Sequence, residues 1–119
     1  MQNYMFIYWG PKKEQAPLSP DQMQAVMGRW QAWIAKFMAS GQMTDPGDAL
    51  LPEGKIVKAG GVVSDGPFVE TKEVVGGYSI VRVKDYAEAV SIARSCPGVE
   101  FGGSVEIRPL AGYGEKMKP

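Results

Sequence analysis

The sequence predicts an α+β fold, in which two helices cover one face of a mainly antiparallel sheet. The first observation is the order of the apolar patterns, which runs strand, helix, hairpin, strand, helix, strand. The second is size, because 119 residues, 45% of them hydrophobic and 22% charged, suit one domain with a single core. The third is that no repeat or linker divides residues 1–119. Together they favour a ferredoxin-like sandwich.

The predicted strands are short segments rich in aromatic and branched residues, bounded by glycine and proline. They are residues 3–9, a hairpin of residues 55–59 and 62–64 around a Gly60-Gly61 turn, residues 77–83 and residues 103–110. Residues 45–54 are predicted to form a loop with at most one short extended piece, at residues 49–51. We expect the tail, about residues 111–119, to be loosely held.

Both predicted helices begin with a capping-box pattern, in which two residues three positions apart cap each other's backbone. Ser19 and Gln22 begin the first helix, with Pro20 at its first helical position. Asp85 and Glu88 begin the second. The first helix then carries apolar side chains at helical spacing, at Met23, Met27, Trp30, Ile34 and Phe37. This spacing predicts that one stripe of the helix faces the core.

The strands carry apolar residues on both faces, which predicts a homodimer. In the first strand, Tyr4, Phe6 and Tyr8 share one face, and Met5, Ile7 and Trp9 share the other. A sheet covered by helices on one side should instead alternate apolar with polar residues. We therefore expect a second copy to cover the other face. The two sheets would then face each other across a cavity lined by aromatic and a few polar groups.

Charge and hydropathy exclude two classes of partner. Thirteen Lys and Arg balance thirteen Asp and Glu, and no basic stripe with interleaved aromatic residues appears, which argues against a nucleic-acid partner. The apolar runs are too short to cross a membrane. The N-terminal sequence lacks the pattern of a signal peptide, so we expect a cytoplasmic protein.

The chain has no histidine, and Cys96 is its one cysteine. Within a single chain, this excludes histidine-based acid–base chemistry, histidine-ligated zinc, disulfides and multi-cysteine metal sites. No metal or other cofactor is predicted.

The most unusual motif lies between residues 65 and 78. It consists of Asp65-Gly66-Pro67-Phe68, then Glu70-Thr71-Lys72-Glu73, then Gly76-Gly77-Tyr78. In this motif, and in residues 85–97 and 102–110, the chain resembles the YCII-related proteins, in the branch named after the tetrapeptide DGPF. The resemblance covers nearly the whole chain and implies a dimeric ferredoxin-like α+β barrel.

The resemblance implies two kinds of function. Some YCII-like members carry a His–Asp pair in a cleft, and one type acts as a dehydrochlorinase, which implies an enzyme. This chain has the aspartate, Asp65, without a histidine. Members of the DGPF branch are often encoded beside extracytoplasmic-function sigma factors, which implies a regulatory or accessory role.

Asp65 is the candidate catalytic residue, and two interpretations of it stay open. It is either a general acid or base at a pocket mouth or a turn-forming residue whose carboxylate accepts backbone N–H groups. A turn centred on Gly66 and Pro67 would need the freedom of glycine or a cis bond, whereas one centred on Pro67 and Phe68 would be ordinary.

The other candidate residues would bind a ligand or line its pocket. They are Tyr8, Trp9, Pro67, Phe68, Glu70, Lys72, Glu73, Tyr78, Glu106 and Arg108. Lys72 and Arg108 suit an anionic group, with Glu106 as the partner of Arg108. The alternatives are a solvated charged segment at residues 70–73 and an edge-strand charge pattern at residues 106–108.

Two functions follow. The first is a small-molecule-binding or regulatory accessory protein. Its expected partners are a small organic ligand, for which an anion is one option, and a sigma factor. The second is a lyase or isomerase that uses Asp65 with Glu70, Lys72 or Arg108. The environment of Asp65 discriminates between them, because a carboxylate in a cavity beside a second titratable group favours the enzyme.

Overall fold

The computed structural model describes residues 1–11, 18–67 and 72–119. In chain order, the elements are β1 (Gln2–Pro11), α1 (Pro20–Ala39), β2 (Met43–Ala49), β3 (Gly54–Val57), β4 (Val63–Gly66), β5 (Glu73–Val83), α2 (Tyr86–Arg94), α3 (Pro97–Glu100), β6 (Ser104–Pro109) and α4 (Tyr113–Met117). A short 3-10 helix, Ala59–Gly61, joins β3 to β4.

The main sheet has the order β2-β5-β1-β6, and each neighbouring pair is antiparallel. Helix α1 links β1 to β2 with β5 between them, and α2 links β5 to β6 with β1 between them. Two interlocked strand–helix–strand units of this kind define the ferredoxin-like arrangement. The predicted α+β fold is confirmed.

The starts of the two long helices agree with the sequence. The Ser19 hydroxyl accepts the Gln22 N–H at 3.2 Å, and the Gln22 side chain accepts the Ser19 N–H at 2.9 Å. The Asp85 carboxylate accepts the Glu88 N–H at 3.0 Å. Glu88 differs from the prediction, because its carboxylate accepts the N–H of Lys84, at 2.9 Å, rather than that of Asp85. The second bond of this capping box is therefore made to the residue that precedes the N-cap, and not to the N-cap itself.

The core lies between the sheet and helices α1 and α2. It is formed by Tyr4, Phe6, Trp33, Phe37, Met43, Val81, Val83, Ala89, Ile92, Ala93 and Cys96. Trp33 stacks near Phe6, with ring centroids 6.5 Å apart, and its indole donates to the Ser95 hydroxyl at 2.9 Å. The predicted apolar stripe of the first helix therefore faces the core through its C-terminal half.

Residues 43–49 form a strand, which overlaps the loop predicted for residues 45–54. This strand, β2, pairs with β5, but its register shifts twice, between Met43 and Asp45 and between Asp45 and Asp48. Gly47 has φ +65°, and a Cβ there would lie 1.8 Å from the Tyr78 carbonyl oxygen. The turn-forming residues in this segment therefore produce bulges within a strand rather than a loop.

Three other boundaries differ from the prediction. Strand β5 begins at Glu73, four residues before the predicted start, because its first residues pair with the end of β1. Strand β4 extends to Gly66, which places Asp65 in a strand. The tail contains the short helix α4. Within the described residues, no helix is long and apolar enough to span a membrane.

Candidate functional site

The face of the sheet opposite α1 and α2 carries the alternate side chains of β1, and we call it the open face. The strand register sets Met5 opposite Ile80 and Ile7 opposite Tyr78. All four side chains are partly exposed. The open face is therefore an apolar surface that the helices of the same chain leave uncovered.

A groove with a volume of about 580 Å³ lies at one end of the open face. Its lining residues are Trp9, Lys72, Glu73, Ser104, Val105 and Glu106. The register explains this grouping, because Trp9 pairs with Ser104 on β6 while Pro11 pairs with Glu73 on β5. Strand β1 thus forms the floor, and its two neighbours supply the polar sides.

The Glu106 carboxylate, on the polar side of the groove, bonds to two other side chains. The Trp9 indole N–H donates to Glu106 Oε1 at 3.0 Å, and Arg108 Nη1 lies 3.3 Å from Glu106 Oε2. Both oxygens of Glu106 therefore have a partner, and Trp9, held by one of them, is partly exposed in the groove. The Arg108 side chain is 65% exposed, so this ion pair adds only about 0–1 kcal/mol of stability.

Asp65 lies outside this groove. Its carboxylate forms an ion pair with the ammonium group of Lys55, directly opposite on β3, and its side chain is 85% exposed. The Gly66–Pro67 peptide bond is cis, which is one of the two backbone solutions that the sequence allows. In the described part of the chain, the partner of Asp65 is a lysine across the hairpin, and both predicted roles of Asp65 stay predictions.

Lys55 was not predicted as the partner of Asp65. A hairpin centred on the Gly60-Gly61 turn would set Ile56 opposite Asp65, whereas the observed pairing is centred on Gly60 and sets Lys55 there. Residues equidistant from a hairpin turn face each other, and opposite charges in such pairs attract.

Tyr8 lies on the helix side of the sheet, away from Trp9. Its hydroxyl donates to the Ser79 hydroxyl at 2.8 Å, which donates to the Pro46 carbonyl oxygen at 2.7 Å. Burial raises the pKa of Tyr8, so the phenol stays protonated at neutral pH. The structure thus does not bring Tyr8 and Trp9 together, as the alternation of side chains along a strand requires.

The remaining predicted residues fall into three groups. Lys72 and Glu73 line the groove with Trp9 and Glu106. Tyr78 lies further along the open face, opposite Ile7. Phe68 and Glu70 lie outside the described residues.

Cys96 is buried between α2 and α3, with 1% of its surface exposed. Burial raises the pKa of its thiol, which disfavours the reactive thiolate. The residue therefore packs the core.

Comparison with known proteins identifies the family. A family model for the YCII-related domain matches residues 4–112. The chain belongs to the YCII-related family. An uncharacterized protein of Rhizobium meliloti (strain 1021) is 42% identical over 53 residues. That match spans 44% of this chain and 43% of the relative, so it covers less than half of each.

The YCII-related region contains every described residue of the groove, from Trp9 to Glu106. The family expected from the motif at residues 65–78 is confirmed, while the narrower DGPF branch stays a prediction.

Proposed function

We propose that this YCII-related protein is a homodimer that binds a small organic ligand, as a binding or regulatory accessory protein. The observation that carries the proposal is the open face, with its apolar centre and the groove at one end. A second copy facing it would cover the apolar centre and give the groove a second wall.

The chemistry of the groove favours a ligand with a flat apolar body and an anionic group. Trp9, which is partly exposed in the groove and held at its N–H by Glu106, offers a stacking surface. Lys72 is a cation in the groove lining. Arg108 lies further along β6, outside that lining, and its one bond to Glu106 leaves other guanidinium N–H groups to donate. Anionic groups bind such cations more tightly once a partner sheet excludes water.

The alternative is a lyase or isomerase with Asp65 as general acid or base. The exposed ion pair of Asp65 with Lys55 supports the binding function instead, because a general acid or base must lie within reach of a bound substrate, and the Asp65 side chain is 85% exposed on the hairpin. A sigma-factor association, a cytoplasmic location and membership of the DGPF branch come from the sequence alone and stay predictions.

A thermal-shift screen of small organic anions tests the proposal on the wild type and three variants. We expect a ligand that stabilises the wild type to bind about tenfold or more weakly to Arg108→Gln and Lys72→Gln, because a hydrogen bond to a charged group contributes about 1.5–3 kcal/mol. Asp65→Asn, which also removes one exposed charge, is the matched control and should bind normally.

The opposite pattern would count against the groove. Binding lost in Asp65→Asn and kept in Arg108→Gln would move the site to the hairpin and favour the enzyme. Sedimentation that finds only monomer at high protein concentration would remove the second wall and the homodimer with it.

A further inference from the structure

The segment from β3 to β4, residues 54–66, stands apart from the rest of the fold, and we call it the arm. In the part of the chain that the structure describes, β3 and β4 form their own two-stranded sheet, separate from the main sheet. A hairpin of this size is at most marginally stable in water and needs a surface to pack on.

The arm and the two residues that lead into it expose large apolar side chains. Their exposed fractions are 51% for Leu50, 74% for Leu51, 70% for Val57, 59% for Val62 and 60% for Val63. Val57 lies directly opposite Val63, so the two form one apolar pair on one face of the hairpin. A cluster of this kind on a short segment marks an interaction surface.

The dimensions of the molecule agree with a projecting segment. Its radius of gyration is 16.1 Å, and its extents are 45 × 38 × 24 Å. A compact domain of this length is expected to have a radius of gyration of about 13.5 Å. The chain is therefore more extended than a compact domain of the same length.

We propose that the arm is a dimerisation element, which packs its Val57–Val63 face and the adjoining Leu50 and Leu51 on a second copy of this chain. This inference rests on the proposed homodimer and adds to it, because it assigns part of the interface to a segment outside the main sheet.

Area favours a second copy as the occupant. The open face, at about 8 residues per strand across four strands, has a footprint of about 500 Å². A stable specific interface buries about 800 Å² on each partner. The flat footprint is a lower bound on the accessible area of the open face, and the exposed apolar side chains of the arm add to the area that a second copy buries.

Symmetry favours the same occupant. Each chain carries one open face and one arm, so a two-fold pair uses both surfaces of both copies. The arm also balances part of its own charge through the Lys55–Asp65 pair, which lies on the same side of the hairpin as Val57 and Val63. With Lys58 counted, residues 54–66 carry a formal net charge of only +1, which offers little attraction to a strongly acidic or basic partner.

Sedimentation equilibrium on charged arm variants tests the proposal. The double variant Val57→Lys/Val63→Lys should weaken the dimer at least tenfold, because it places two charges where apolar side chains are buried. The control Met23→Lys/Met27→Lys changes two similarly exposed apolar side chains on α1, on the helix side, and should leave the dissociation constant within twofold. Circular dichroism checks the fold of each.

The outcomes separate the two proposals. A monomeric wild type overturns both the homodimer and the arm. If the wild type is dimeric and the arm variants dimerise as tightly as the control, only the proposed role of the arm is overturned. If the lysine variant does not fold, Val57→Thr/Val63→Thr keeps the shape and strand preference of valine while adding hydroxyls. It should then weaken the dimer severalfold, and an unchanged dissociation constant contradicts the proposal.

Discussion

Tyr8 and Trp9 are neighbours in sequence with opposite surroundings. The hydroxyl of Tyr8 begins a hydrogen-bond chain through Ser79 to the Pro46 carbonyl, while the indole of Trp9 bonds to Glu106 on the open face. The chain through Ser79 connects three strands, since Tyr8, Ser79 and Pro46 lie on β1, β5 and β2. At the scale of the residue, one peptide unit separates the core from the candidate site.

Tyr8→Phe tests the buried chain. The variant should lose about 1 kcal/mol of the free energy of unfolding near neutral pH, because one buried hydrogen bond is removed. Since the raised pKa keeps the folded phenol neutral while the unfolded one ionises, the wild type should also lose stability as pH rises above about 10. The free energy of unfolding of Tyr8→Phe should fall less over that pH range.

Urea unfolding at several pH values measures both effects. Tyr113→Phe, at a side chain that is 64% exposed, is the matched control and should follow the wild type. Equal alkaline behaviour of Tyr8→Phe and the wild type would show that the Tyr8 hydroxyl does not couple to folding.

At the scale of the element, the predictable parts are those governed by local chemistry. The capping bonds of Ser19 and Asp85 fix both long helices, and the alternation in β1 predicts which side chains share a face. Strand β2 could not be predicted, because its pairing with β5 is a long-range effect that overrides the local preference for a turn. The groove could not be predicted for the same reason, since only the pairing of the strands brings Glu73 and Ser104 to either side of Trp9.

Gly47 tests this account of β2. Gly47→Ala should lower the free energy of unfolding by at least about 2 kcal/mol, because a Cβ meets the Tyr78 carbonyl and the backbone has φ +65°. Gly28→Ala, inside α1 with nothing within 4 Å of the new Cβ, should instead stabilise by about 0.5–1 kcal/mol.

Denaturant unfolding of both variants gives the comparison. Opposite signs support the bulged strand, whereas a neutral Gly47→Ala would mean that β2 does not approach Tyr78 as described.

At the scale of the whole molecule, the two apolar surfaces decide behaviour in solution. If the open face is buried between copies, the thermal midpoint should rise with protein concentration, because dissociation accompanies unfolding. Ile7→Lys, at the centre of the open face, should remove this dependence while leaving the circular dichroism spectrum unchanged. Met27→Lys is the control for an added charge on the helix side.

Scanning calorimetry over a hundredfold concentration range measures the effect. A midpoint that stays constant for the wild type would contradict the homodimer, and a dependence that persists in Ile7→Lys would place the interface elsewhere.

The two outer strands of the main sheet, β2 and β6, also bear on how the chain survives before it finds a partner. A free sheet edge attracts other strands and starts aggregation. Strand β2 carries Pro46 and two bulges, while β6 carries the Glu106–Arg108 pair and ends at Pro109. Proline, bulges and charges all hinder the addition of a further strand. The main sheet of a newly made chain is therefore protected against the addition of strands at both edges, which favours association through the open face and the arm.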